Sequence, residues 1–209
     1  MLLFSRITTP SGSPRRVIPW VMDITAYVNA NTDLTVTCWA GTYGYPIGTV
    51  AWSSIVESQA SFVAASTALN AQDGYLDRLE AAADMVTTPG EDRLGEIIHG
   101  APSDPPPLGA IGRITRATAV VDRMAEAVGW SIGIAQYVEQ VIDSPVAVLS
   151  DLYGAMGGIT WIGVVPDAAA ADASRAKLAG DSGYLERLHA SKGLFVNGSG
   201  HVSEVTRIA

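Results

Sequence analysis

Three histidines, one cysteine and five tryptophans are the residues of this chain best equipped for chemistry. An imidazole titrates near neutral pH and can serve as general acid or base. Of His99, His189 and His201, the best placed is His189, directly after the segment Tyr184-Leu185-Glu186-Arg187-Leu188. His99 and His201 have no acidic partner at a recognisable spacing. No His-x-x-x-His, His-Glu-x-x-His or paired-carboxylate pattern occurs, so no metal site is expected. A nucleophilic cysteine needs a base and an electropositive setting. Cys38, beside Trp39, shows neither and is expected to be a buried structural thiol. Trp52, Trp161 and Trp39 are the ligand-cavity candidates, able to stack on a flat molecule, although filling a core is the ordinary use of such aromatic area. The run Gly154-Ala155-Met156-Gly157-Gly158 lies between two β-stretches, not between a strand and a helix, which argues against a phosphate loop. No catalytic or cofactor-binding constellation emerges, with His189 the one alternative.

The elements that would position these residues come from an internal repeat. Gly74-Tyr75-Leu76-Asp77-Arg78-Leu79 matches Gly183-Tyr184-Leu185-Glu186-Arg187-Leu188 at an offset of 109, and Trp52 matches Trp161 in the same frame. Upstream the offset is 110, pairing Trp20 with Trp130, Ile24 with Ile134 and Tyr27 with Tyr137. Near the starts Arg6-Ile7-Thr8 matches Arg113-Ile114-Thr115, and near the ends Glu96 matches Glu204. Ordered matches that include rare Trp and Tyr are poorly explained by coincidence. The segment between the copies contains Pro105-Pro106-Pro107, which favours extended backbone. The expected organisation is a first repeat over 1–100, a Pro/Gly-rich linker over 101–109 and a second repeat over 110–209.

Each copy reads β-α-β-β-α-β. The strands are expected at Leu2 to Thr8, Leu34 to Gly41, Thr49 to Val56 and Arg93 to His99. In the second copy they are expected at Ile111 to Thr115, Val146 to Ser150, Ile159 to Val165 and His201 to Ile208. The first helix has Ser13 as N-cap and Pro14 at N1, with its regular part delayed to Pro19. The second begins near Glu57-Ser58, or Pro166-Asp167, and breaks at Gly74 or Gly183, since glycine costs about 1 kcal/mol in a helix interior. Asp77-Arg78 and Glu186-Arg187 are expected as local ion pairs on an exposed face, doing the same packing task in both copies.

The order βαββαβ, twice, is that of ferredoxin-like units, giving an α+β fold whose sheets pack face to face as a single-chain pseudo-dimeric α/β barrel. With Val50-Ala51-Trp52…Phe62…Tyr75-Leu76 and Ile159-Thr160-Trp161…Tyr184-Leu185, the chain resembles the dimeric α/β-barrel superfamily of antibiotic-biosynthesis-monooxygenase and NIPSNAP-like proteins. The resemblance implies a small-molecule monooxygenase or isomerase, with a cavity between the two sheets and, in that case, haem as a cofactor with His189 as its candidate ligand.

Composition points elsewhere. Hydrophobic residues make up 48% and charged residues 16%, against about 25% charged in an ordinary domain. That surplus suggests surface covered by partner subunits. A net charge of −8 with only two lysines argues against nucleic-acid binding. One cysteine excludes an intrachain disulfide, and no signal peptide or membrane span is readable. The expectation from composition is therefore a non-catalytic, homo-oligomeric assembly protein without a cofactor. It would be cytoplasmic or part of a particle such as a virion, as a capsid-associated or decoration protein, with protein subunits as its partners.

Overall fold

The computed structural model describes residues 1–86, 89–101 and 104–209, so Pro102 and Ser103 of the expected linker lie outside the described residues. The first unit runs β1 (Leu2–Thr8), α1 (Pro14–Asn31), β2 (Thr37–Tyr43), β3 (Val50–Val56), α2 (Gln59–Asn70), α3 (Asp73–Glu80) and β4 (Glu91–His99). The second runs β5 (Ile111–Thr118), α4 (Met124–Ile142), β6 (Val146–Asp151), β7 (Gly158–Val165), α5 (Ala168–Gly180), α6 (Ser182–Ala190) and β8 (His201–Arg207). A single 3₁₀ turn, Val121–Arg123, precedes α4.

Local chemistry sets several boundaries. Helix α1 starts at Pro14 and carries Pro19 inside it, so the helix is not delayed as the second proline suggested. Strand β2 begins at Thr37, later than expected, because the Asn29 amide takes both the N–H and the carbonyl of Val36 (2.7 and 2.9 Å). Ser58 caps α2 in a reciprocal box with Ser61, and the Asp167 carboxylate accepts from the Ala170 N–H at 2.8 Å.

In the first unit the strand order is β4-β1-β3-β2 and in the second β8-β5-β7-β6, all antiparallel. The two sheets join through β2–β8 and β4–β6, closing one eight-stranded barrel. Helices cover the outside. Val17 and Val21 of α1 pack with Cys38 and Val50, and Ala127 and Ala135 of α4 with Val146, Val148 and Ile159. Alternate strand residues face the lumen: Trp39 donates to Ser53 Oγ (2.9 Å) and lies against Gly112 on β5. The helices thus cover much of the outer face, and closure turns the other face of the strands inward. Among the described residues no helix is long and apolar enough to cross a membrane.

The Gly-Tyr-Leu-acid-Arg-Leu motif docks α3 onto α1, and α6 onto α4. The helical break falls just before each glycine, at Ala71–Gln72 and at Asp181. Each glycine makes room for a tyrosine hydroxyl: a Cβ on Gly74 would sit 2.8 Å from Tyr27 Oη, and one on Gly183 would collide with Tyr137 Oη. Those hydroxyls donate to Gln72 and Asp181 (3.0 and 2.8 Å). The motif arginines stack on the same rings, Arg78 at 4.2 Å from Tyr27 and Arg187 at 3.7 Å from Tyr137. Trp20 and Trp130 donate to the carbonyls of Arg78 and Arg187 (2.8 and 2.9 Å). The expected Asp77-Arg78 pairing is replaced by a bridge from Arg78 to Asp23 of α1 at 2.7 Å, because the guanidinium is drawn across to the tyrosine.

Candidate functional site

The two units are built alike but filled differently. In the first, Phe4 of β1 stacks on Phe62 of α2 with centroids 4.2 Å apart, and Leu69 and Tyr75 are buried beneath the helices. Along the repeat, Phe62 becomes Ala171, Phe4 becomes Ile111 and Ser54 becomes Gly163. The volume lost opens a cavity of about 450 Å³ between β5, β7 and β8 on one side and α4, α5 and α6 on the other. A Cβ on Gly163 would meet only Val146, at 3.8 Å.

Trp161 forms an aromatic wall of this cavity, held by an indole N–H bond to the Ser131 carbonyl (3.1 Å) and an edge-on contact with Trp130 at 6.0 Å. Ile134, Val138, Leu178 and Leu188 complete an apolar surround. Polar groups enter from two sides: Arg113 and Glu204, opposite one another on β5 and β8, and Ser174, Arg175 and Tyr184 from the helices. Arg175 is paired with Asp172 of its own helix. Arg113 is different. Its counterpart Arg6 is clamped by both oxygens of Asp92 at 2.7 Å, which holds the guanidinium above its ordinary pKa. Across from Arg113, where Arg6 meets Asp92, stands Glu204, with which it makes no ion pair, and Arg113 has no side-chain hydrogen bond among the described residues. An apolar slot with one aromatic wall and an uncommitted guanidinium suits a flat molecule bearing one oxyanion.

Of the sequence candidates, only Trp161 lines this cavity. Trp52 is committed to packing: it meets Trp20 edge-on at 6.0 Å and donates to Thr25 Oγ1 (2.9 Å). Trp39 faces the barrel lumen instead. His189 is exposed on α6, outside the lining. His99 does find an acid, Glu139, at 3.2 Å, from a helix that spacing along the chain could not connect to β4. Glu139 also accepts from the Val146 N–H (2.9 Å), which makes the pair a tie between β4, α4 and β6. Cys38 is fully buried, and burial pushes its thiol up to about 12. This site lies between one sheet and its helices, apart from the expected cavity between the sheets. Arg113, Glu204, Arg175 and Tyr184 escaped the sequence reading. The signal present in the repeat was Phe62 against Ala171.

Haem iron is held in proteins by a proximal His, a Cys thiolate, Met or Tyr. The lining contains no His, Cys or Met, and its only phenol is Tyr184. With His189 outside, the residues present do not fit the group.

No protein-family model matches the chain, and neither does any curated protein sequence. Solved structures do. A Fusobacterium nucleatum protein provisionally described as a monooxygenase superposes with a TM-score of 0.75 at 9% identity, covering 100% of this chain and 92% of that one. An anthrone oxidase-like protein gives 0.69 at 14%, covering 100% and 91%. The heme-degrading enzyme of Listeria monocytogenes gives 0.53 at 6%, covering 99% of each chain. At such identities the likeness is one of fold: two tandem ferredoxin-like units closed into a single α/β barrel. The expectation of a non-catalytic virion or assembly component is overturned: these full-length neighbours carry the names of oxidising and heme-degrading enzymes.

Proposed function

We propose that this chain is an enzyme of the monooxygenase or isomerase class, acting on a flat, largely apolar molecule with an ionisable oxygen. The observation that carries the reading is the asymmetry of the repeat. The second unit gives up the Phe4–Phe62 stack, and its Arg113 faces Glu204 without the ion pair that Arg6 makes with Asp92, so a cavity and an unpaired guanidinium lie in the same place. Trp161 would support the ring by stacking. Glu204 would accept a proton from the substrate, and Arg113 would hold the resulting phenolate or enolate. Such an anion is common to isomerisation and to reaction with dioxygen. For an anthrone, dioxygen serves as oxidant: one oxygen atom enters the ring as the new carbonyl and the other leaves as water. The structural neighbours' names support the oxygenase branch.

The test is incubation with anthrone and, separately, 1-naphthol in air-saturated buffer, following oxygen uptake and product absorbance. Turnover by the wild type, reduced about tenfold to a hundredfold in Arg113→Gln, is the expected result. Turnover unchanged in Arg113→Gln would overturn the assignment.

A further inference from the structure

A second cavity, of about 470 Å³, occupies one mouth of the barrel, where β1, β5 and β6 end and β4, β7 and β8 begin. Its character is opposite to that of the helix-covered slot. Arg93 of β4, Arg116 of β5 and Asp151 of β6 line it from the strands, and Tyr45 from the turn between β2 and β3. Three of its donors are buried with no hydrogen-bond partner: Tyr45 Oη, Arg93 Nε and Arg116 Nε. Arg93 spends a terminal nitrogen on Glu91 at 2.5 Å, leaving its Nε free, and Arg116 has no ion pair at all among the described residues. Burial raises the Asp151 carboxyl and the two arginines pull it back, which places all three charges in one electrostatic neighbourhood.

Buried donors without partners are rare in folded proteins because each loses its water and receives nothing in return. Here the three residues that carry them line one open chamber, on strands and a turn from both repeats. Two guanidiniums and a phenol are the donor set that receives an oxyanion, and an adjacent carboxylate accepts from a hydroxyl. We propose that the barrel mouth is a binding site for a small hydroxylated oxyanion, a hydroxycarboxylate or a phosphate, held by Arg93, Arg116 and Tyr45, with Asp151 receiving its hydroxyl. The site is separate from the slot around Trp161 and stands whether or not that slot is catalytic.

The experiment is calorimetric titration of the full chain with malate, succinate and inorganic phosphate in a buffer free of other polyanions. Saturable 1:1 binding of malate or phosphate is expected. Arg116→Met weakens it at least about tenfold while the ligand-free variant remains folded, since the residue removed makes no ion pair or hydrogen bond among the described residues. Tyr45→Phe weakens it several-fold and provides the same test should Arg116→Met not fold. Ala171→Phe, which fills the other cavity, leaves it unchanged. Preference for malate over succinate marks the hydroxycarboxylate source, and preference for phosphate the other. No saturation by malate or phosphate up to about 10 mM, equal binding by Arg116→Met and Tyr45→Phe, or loss of binding in Ala171→Phe would each overturn the proposal.

Discussion

Replacing Ala171 with the residue its repeat partner carries puts the two readings of the second unit in direct opposition. Phe62 shows that a phenyl group at this helix position reaches the sheet, stacking on Phe4 with centroids 4.2 Å apart. In Ala171→Phe the ring would enter the cavity of about 450 Å³. A fully buried Phe removes about 150–250 Å² from water. At about 25 cal/mol per Å², and after subtracting what Ala171 already buries, that is worth about 2–3 kcal/mol as an upper bound. Fixing the ring costs about 0.5–1 kcal/mol. The net gain of about 1–2 kcal/mol corresponds to a rise in melting temperature of about 2–8 °C for a chain of this size. Occupation of the slot should weaken binding of 1-naphthol, followed by tryptophan fluorescence, at least tenfold, or about 1.4 kcal/mol. A melting temperature lowered by several degrees with affinity unchanged would mean that the space is already filled and that the repeat comparison misleads.

Three further outcomes follow from the packing. Gly183→Ala should lose about 1–3 kcal/mol in chemical denaturation despite the better helix former, because the new Cβ meets Tyr137 Oη, and the loss should shrink in a Tyr137→Phe background. Arg6→Gln and Arg113→Gln should each change stability by less than about 1 kcal/mol, the first because its clamp with Asp92 is half exposed and the second because it has none; a large loss at Arg113 would reveal a structural partner. Cys38 should resist thiol reagents at pH 8 in the folded chain and react at once in denaturant, since burial holds it as the neutral thiol. Because its folded pKa of about 12 exceeds the ordinary 9.0, its contribution is intact below pH 9 and is lost as the pH climbs from 9 towards 12; stability flat across that range would contradict the burial.

Matching Trp20, Trp52 and the Gly-Tyr-Leu motif to their second copies made the βαββαβ order legible, because each residue performs the same contact twice. Strand β1 could be read to its ends for the same reason. Which edges would meet could not be read. The β2–β8 and β4–β6 pairings are backbone contacts between distant segments, and alternation of side chains carries no record of a partner strand. The wrong turn towards an assembly protein came from reading a charged fraction of 16% as a sign of covered surface. Trp161 could be found as an aromatic of the site. Arg113 could not be found from its own residue type, and becomes conspicuous only because Glu204 stands across from it without pairing, where Arg6 is clamped by Asp92.

The unequal filling of the halves has a consequence for how such a barrel can change. In a dimer of identical units, a phenylalanine surrendered to open a pocket is surrendered twice, and the loss of packing is doubled. A chain carrying both units in tandem escapes that symmetry. One half can keep its Phe4–Phe62 stack and its Arg6–Asp92 clamp as ballast, while the other is hollowed by single substitutions whose cost falls once. Variation in the substrate slot of such chains is therefore expected to concentrate in α5 and the faces opposite it, with the matching positions of α2 held fixed.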